Sequence, residues 1–202
     1  MNRQMNIKFY IITFLFAFLY SEELSKDLLD KIELATEDVN KAPDFSLKSI
    51  QSKINDGKIT FTDSVYTLSK MENKVILLNF WATWCGPCRL EIPDFNDLYE
   101  KYNEKGLEIL GLSIQDTKEQ LQNFSNVYTI EYPLLYGSQI EIQKLSMDYG
   151  GIYTITVSIL IGPENEILRF YPGAILKQYD PNMYADLIYN IESSISKLKH
   201  EK

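Results

Sequence analysis

The chain of 202 residues has two cysteines, and both lie in Trp84-Cys85-Gly86-Pro87-Cys88. Two thiols at this spacing, with the first at a helix N-terminus, can close a small disulfide and reopen it at little geometric cost. That is the chemistry of dithiol–disulfide interchange. The flanking residues supply the required setting. Lys74-Val75-Ile76-Leu77-Leu78-Asn79-Phe80 is a nearly continuous apolar run, which suits a strand buried on both faces of a sheet. Beyond the cysteines, Leu90, Phe95, Leu98, Tyr99 and Tyr102 recur at helical spacing, and Gly106 offers a C-terminal stop. A core strand therefore delivers the chain to Cys85, and a helix starts there. The free amide N–H groups and positive dipole end of that helix favour a thiolate at Cys85, below the ordinary thiol value of about 8.5. Pro87 falls in the first helical turn, where a missing N–H costs little. Cys88 lies one turn in, less exposed and placed to resolve a mixed disulfide.

Other uses of the pair are open to test. Half of a zinc site would need two further ligands, and the chain offers one histidine, His200, near its end. A purely structural disulfide across so short a loop would constrain the unfolded chain little. An inert buried pair is the remaining alternative.

Met1 to Tyr20 reads as an export signal: Arg3 and Lys8 supply positive charge, and Phe9 to Tyr20 is an apolar stretch of about a dozen residues. A membrane span needs about 20. Ser21 is small, but Leu19 and Tyr20 make a poor cleavage site, so residues 1–21 are read either as a cleaved signal peptide or as an uncleaved N-terminal anchor. The formal charge of the chain is −8, and the signal region contributes only basic groups to it. An acidic body argues against nucleic acid and anionic membrane surfaces as partners. The length allows one domain with a sizeable core, and 45% hydrophobic residues is ordinary for a globular protein.

Residues 22–40 are charged, with Leu24, Leu28, Ile32, Ala35 and Val39 at helical spacing, and read as an amphipathic linker helix or a docking face. Pro43 marks the start of a domain covering residues 41–202. Phe45 to Leu68, broken by Asn55-Asp56-Gly57, reads as a β-hairpin. A βαβ unit follows: strand Val75 to Phe80, helix Cys85 to about Asn103, strand Leu107 to Ile114. Next come helix Lys118 to Asn126, a short strand at Pro133 to Tyr136 and helix Gln139 to Tyr149. Strands Thr154 to Ile161 and Ile167 to Tyr171 surround the turn Gly162-Pro163-Glu164-Asn165. A closing helix carries Tyr184, Leu187, Ile188, Ile191, Ile195 and Leu198. The expected class is α/β, a mixed central sheet flanked by helices on both faces.

The sequence resembles the thioredoxin superfamily, and within it the exported TlpA/ResA-like thiol-disulfide oxidoreductases with a redoxin or AhpC/TSA-like domain. Four segments carry the resemblance: Ala42 to Leu47, Leu77 to Cys88, Arg89-Leu90-Glu91-Ile92-Pro93 and Gly106 to Ser113. It implies a thioredoxin fold in which the N-terminal β-hairpin and a strand–helix insertion, Tyr128 to Tyr149, are additions. A peroxiredoxin would need a proline as well as Thr83 ahead of its cysteine, and Phe80 to Trp84 contains none.

The resemblance implies that Cys85 is the attacking and Cys88 the resolving cysteine of a redox-active disulfide. Trp84 would pack beside that disulfide and shield it. A substrate groove would be formed by Trp84, Gly86, Pro87, Ile155 and Thr156. Asn79 stands where cytosolic thioredoxins often hold a buried Asp. Glu91 matches the Glu of a Cys-x-x-Cys-x-x-Glu pattern, where a carboxylate could take the proton of Cys88 and, while charged, oppose thiolate formation. Pro93 is expected to kink the helix. The main departure is Thr156, which falls where nearly every relative has a cis-proline. A cis bond before a non-proline residue costs about 3–4 kcal/mol, so Ile155–Thr156 is expected to be trans.

The resemblance further implies a periplasmic or secreted protein-disulfide reductase in redox homeostasis, using no cofactor beyond its dithiol. Disulfide-containing exported proteins, an apocytochrome c among them, would be the substrates, and a membrane protein the electron donor. The rival expectation is a non-catalytic metal-binding or protein-docking module. Thr156 supports it by leaving room over Cys85 for a soft metal shared between two chains.

Overall fold

The computed structural model describes residue 26, residues 40–55 and residues 58–200. The expected export signal, almost all of the expected linker helix and the expected turn at Asp56-Gly57 fall outside these residues. The chain divides after Lys41 into two compact units, and the second, Ala42–Lys202, holds both cysteines.

Seven strands form one mixed sheet: β1 (Ser46–Asn55), β2 (Lys58–Thr67), β3 (Val75–Trp81), β4 (Leu107–Ser113), β5 (Leu134–Tyr136), β6 (Val157–Ile161) and β7 (Ile167–Pro172). Their spatial order is β2-β1-β5-β4-β3-β6-β7. The pairs β3–β4 and β4–β5 are parallel, and the remaining neighbours are antiparallel. Among the described residues of the second unit, four helices cover the sheet: α1 (Gly86–Tyr102), α2 (Lys118–Ser125), α3 (Gln139–Asp148) and α4 (Pro181–His200). The hairpin is the β1–β2 pair, and the expected insertion is β5 with α3, which places β5 between β1 and β4.

The central strands explain where side chains go. All seven residues of β3 and all seven of β4 are buried, as expected of strands covered on both faces. Side chains alternate between faces along a strand. Val75, Leu77 and Trp81 of β3 join Leu107 and Ile109 of β4 against Phe95 and Leu98 of α1 and Leu187 and Ile191 of α4. Ile76, Leu78 and Phe80 join Leu110 and Leu112 on the opposite face with Ile142 and Leu145 of α3. The parity that sends Leu77 and Trp81 towards α1 assigns Asn79 to the same face. On β6, Leu160 belongs to the α1 face while Val157, Ile159 and Ile161 belong to the other, so Ser158 shares the face of Leu160.

Helix ends follow local chemistry. Thr117 and Ser138 begin α2 and α3 with complete capping boxes to Gln120 and Glu141. The Asp180 carboxylate accepts from the Met183 N–H at 2.9 Å at the head of α4. After α1, the 3-10 turn Asn103–Lys105 ends on Gly106 at φ 119°, a left-handed stop that glycine adopts without penalty. Pro93 lies inside α1, which continues through it to Tyr102.

Two expectations are corrected around Thr156. The strand read as Thr154 to Ile161 begins only at Val157, where pairing with Phe80 starts. The Ile155–Thr156 peptide is cis, not trans. The expectation weighed the local amide alone. In the fold, residue 156 is held from two sides, its carbonyl by the Gly173 N–H at 2.9 Å and its hydroxyl by Glu91 and Asn79.

Candidate active site

Cys85 is the N-cap of α1, with extended backbone at φ −77° and ψ 111°. Cys85 and Cys88 form a disulfide, with Cα atoms 5.3 Å apart. The Cys88 N–H points at Cys85 Sγ, 3.2 Å away, so one of the amide donors of the first turn serves this sulfur directly. Cys85 is 5% exposed and Cys88 is 2% exposed, the order expected of an outer and an inner sulfur. Gly86 is half-buried and Pro87 exposed.

The loop between β3 and α1 is tied down by a residue that the sequence reading missed. Asp116, buried after β4, accepts from the Thr83 N–H at 2.9 Å, the Thr83 hydroxyl at 2.6 Å and the Ser113 hydroxyl at 2.7 Å. The Ile114 N–H bonds the Trp81 carbonyl at 3.0 Å, and the Cys85 N–H bonds the Ala82 carbonyl at 3.1 Å. The approach to Cys85 is thereby fixed. Trp84 is 60% exposed, so it is not core cover and stands open at the surface beside the disulfide.

Glu91 lies three residues after Cys88 on α1, on the same helical face, and is 1% exposed. It is not a solvated glutamate. One carboxylate oxygen accepts from the Ile175 N–H at 2.6 Å and the other from the Thr156 hydroxyl at 2.8 Å. Asn79 donates its side-chain amide to Thr156 Oγ1 at 2.9 Å and to Ser158 Oγ at 3.0 Å. The result is a buried polar chain from β3 and β6 to the redox helix. Burial pushes the Glu91 carboxyl up, the donors from Ile175, Thr156 and Asn79 hold it down, and Asp94 adds a small upward push, leaving it at about 7. The Tyr132 phenol is pushed up by burial and then by the charge of Glu91.

Of the expected groove residues, Trp84, Gly86 and Pro87 gather at the head of α1. Ile155 is half-buried, and Thr156 is 3% exposed with its hydroxyl turned to Glu91. The hydroxyl that distinguishes Thr156 from the family's proline is thus taken up by a buried carboxylate. Among the described residues no group of three or more His, Cys, Asp or Glu side chains could hold a metal. Beside the redox helix, a groove of about 480 Å³ is walled by Leu90, Pro93 and Asp94 on one side and Leu176 to Tyr179 on the other. Its far wall is attached to α1 at two main-chain amides, Ile175 to Glu91 and Lys177 to Asp94 at 2.9 Å. Ser158 and Ile175 were also missed. Ser158 carried a signal, as a polar residue inside the apolar run Val157 to Ile161, whereas a main-chain donor such as Ile175 leaves none.

A mixed sheet that delivers a Cys-Gly-Pro-Cys disulfide to the head of a helix defines a thioredoxin-fold protein equipped for thiol-disulfide exchange. The chain belongs to the AhpC/TSA family, whose model matches residues 39–171, and within the thioredoxin superfamily it is a TlpA/ResA-like thiol-disulfide oxidoreductase. It is similar to the thiol-disulfide oxidoreductase ResA of Oceanobacillus iheyensis, 35% identical over 66% of this chain and 64% of that protein. It is 32% identical to ResA of Bacillus cereus over 79% of this chain and 80% of that one. Among solved structures, a Chlorobium tepidum protein assigned as thiol:disulfide interchange protein DsbE superposes with a TM-score of 0.60 at 25% identity, over 77% of this chain and 96% of its own.

Proposed function

We propose that the protein is an exported protein-disulfide reductase, with Cys85 as nucleophile, Cys88 as resolving thiol and Glu91 as the proton acceptor of Cys88. In the reduced state the Cys85 thiolate attacks one sulfur of a partner's disulfide, and the other partner sulfur leaves and takes a proton from water. Cys88 then gives its proton to Glu91 and attacks Cys85 Sγ. The second partner sulfur leaves, and the Glu91 proton returns to it through solvent. The partner gains two electrons and two protons, and the protein is left with the Cys85–Cys88 disulfide. An upstream membrane donor restores the dithiol.

The observation that carries this reading is the buried carboxyl of Glu91, poised at about 7 one helical turn from Cys88, where it can exchange a proton near neutral pH. The Gly-Pro pair between the cysteines resembles reducing thioredoxins and supports the reducing direction. The basic, apolar N-terminus supports export, with or without a retained anchor. Among the described residues no helix is long and apolar enough to cross a membrane. Apocytochrome c remains the substrate proposed by family analogy. The alternative, a non-catalytic metal-binding or protein-docking module, gives no use to the buried Glu91 carboxyl one turn from Cys88, and the Thr156 hydroxyl that it would expose is bound to Glu91.

Trapping tests the reading. In Cys88→Ser, Cys85 can attack but nothing resolves, so mixed disulfides with exported proteins should accumulate on non-reducing gels. Identical gels from Cys88→Ser and Cys85→Ser cells would overturn it.

A further inference from the structure

We propose that Thr156 is a positioning residue for Glu91, its hydroxyl being the reversible partner that keeps this buried carboxyl hydrogen-bonded both with and without its proton. The inference rests on the proposed function in one respect, that Glu91 exchanges a proton during turnover.

The argument comes from which partners can change direction. Both oxygens of Glu91 already receive a donor. Oε1 has the Ile175 N–H at 2.6 Å, and a main-chain amide can only donate. Oε2 has the Thr156 hydroxyl at 2.8 Å. A hydroxyl is one donor with two acceptor sites, and the Asn79 amide fills one of those sites at 2.9 Å. The remaining site is free to accept once the hydroxyl turns. A proton arriving on Oε2 therefore finds an acceptor in Thr156 and none in Ile175. A proline at this position would present neither a donor nor an acceptor on its side chain, and the buried carboxyl would lose the one hydroxyl that can reverse its hydrogen bond.

The surroundings leave this role to Thr156. The ionisable groups around Glu91 are Asp94 and the cysteine pair on α1, and Tyr132 in the segment leading into β5. Asn79 of β3 and Ser158 of β6 do not titrate, and the segment after β7 contributes the Ile175 N–H. Asn79 holds Thr156 and Ser158 with one amide nitrogen, which orients the Thr156 hydroxyl proton towards Glu91. Because a hydrogen bond to a charged acceptor is stronger than one between neutral groups, Thr156 favours the ionised carboxylate on balance while still accommodating the acid.

The test compares Thr156→Val, which keeps the shape and removes the hydroxyl, with Thr156→Ser, which keeps the hydroxyl. The Glu91 carboxyl is titrated by ¹³C NMR in the oxidised full-length chain, with Glu91→Gln to assign its signal. The midpoint should rise by about one pH unit or more in Thr156→Val and stay near the wild-type value in Thr156→Ser. The pH profile of disulfide reduction should move with it in the valine variant. An unmoved midpoint in Thr156→Val, or an equal rise in Thr156→Ser, overturns the proposal. Should the valine variant fail to fold, the wild type decides: the Thr156 hydroxyl proton resonance should follow the Glu91 titration with the same midpoint, and an invariant resonance overturns the proposal. A wild type that reduces no disulfide at any pH overturns the proposed function, while the carboxyl titration still decides for or against Thr156.

Discussion

Replacing Glu91 by glutamine should make the oxidised protein more stable at alkaline pH, although the change removes a residue with two hydrogen bonds. The folded carboxyl is raised from 4.5 to about 7, so between those values the folded chain holds a proton that the unfolded chain has released. Stability therefore falls as pH rises through this window and is fully diminished above it. At about 1.36 kcal/mol per unit, the charged carboxylate costs the folded state about 3 kcal/mol at pH 8. Glutamine has the shape of the neutral acid and escapes that cost. Urea unfolding of oxidised wild type and Glu91→Gln from pH 4 to 8 measures it. The stability difference should grow in favour of the variant by about 3 kcal/mol between pH 4 and pH 8. A difference that stays constant to within about 0.5 kcal/mol would show that Glu91 is solvated or already ionised at acid pH, and would refute the reasoning.

In the reduced protein, Glu91→Gln removes a charge that opposes thiolate formation, so thiolate absorbance at 240 nm should develop at lower pH than in wild type; superimposable curves would separate Glu91 from the cysteines. Asp116→Ala strands the Thr83 N–H and the Thr83 and Ser113 hydroxyls, and should cost about 2–4 kcal/mol in chemical denaturation and slow disulfide exchange by loosening the approach to Cys85. Gly111→Ala would place a methyl 2.9 Å from Leu134 Cδ2 and 3.1 Å from Trp81 Nε1, a clash worth about 1–3 kcal/mol in the same assay.

The sheet and helices were legible because their signals are periodic. The unbroken run at Val75 to Phe80, the helical spacing after Cys88 and the stop at Gly106 each reappear in β3, in α1 and in the left-handed turn at Gly106. The cysteine pair was legible because its chemistry depends on local spacing. Glu91 was legible as a candidate, but its burial was not, since burial depends on Ile175 and Thr156, which lie 84 and 65 residues away. The cis form of Ile155–Thr156 escaped for a similar reason: the local preference of an amide says nothing of partners brought by β3, α1 and Gly173. Asp116 belongs to the same class. Ser113, at the end of β4, is a local partner, but both Thr83 donors come from the loop after β3, which becomes a neighbour only once β3 and β4 pair in parallel.

The attachment of the segment after β7 to α1 has a consequence for how this stretch can vary among related sequences. Glu91 and Asp94 are one helical turn apart, and they grip the amides of Ile175 and Lys177, two residues apart in the sequence. The match is one of spacing. What is held is backbone, so Lys177 can be exchanged for almost any residue except proline, which has no N–H to give. Ile175 is buried as well as gripped, and tolerates other apolar residues under the same exclusion. An inserted or deleted residue between Gly173 and Lys177 would put at least one of the two amides out of step with the helix. Length polymorphism in this part of the family should therefore collect in the Gly162 to Glu166 turn and stop short of Gly173, leaving a segment that is variable in composition and constant in length.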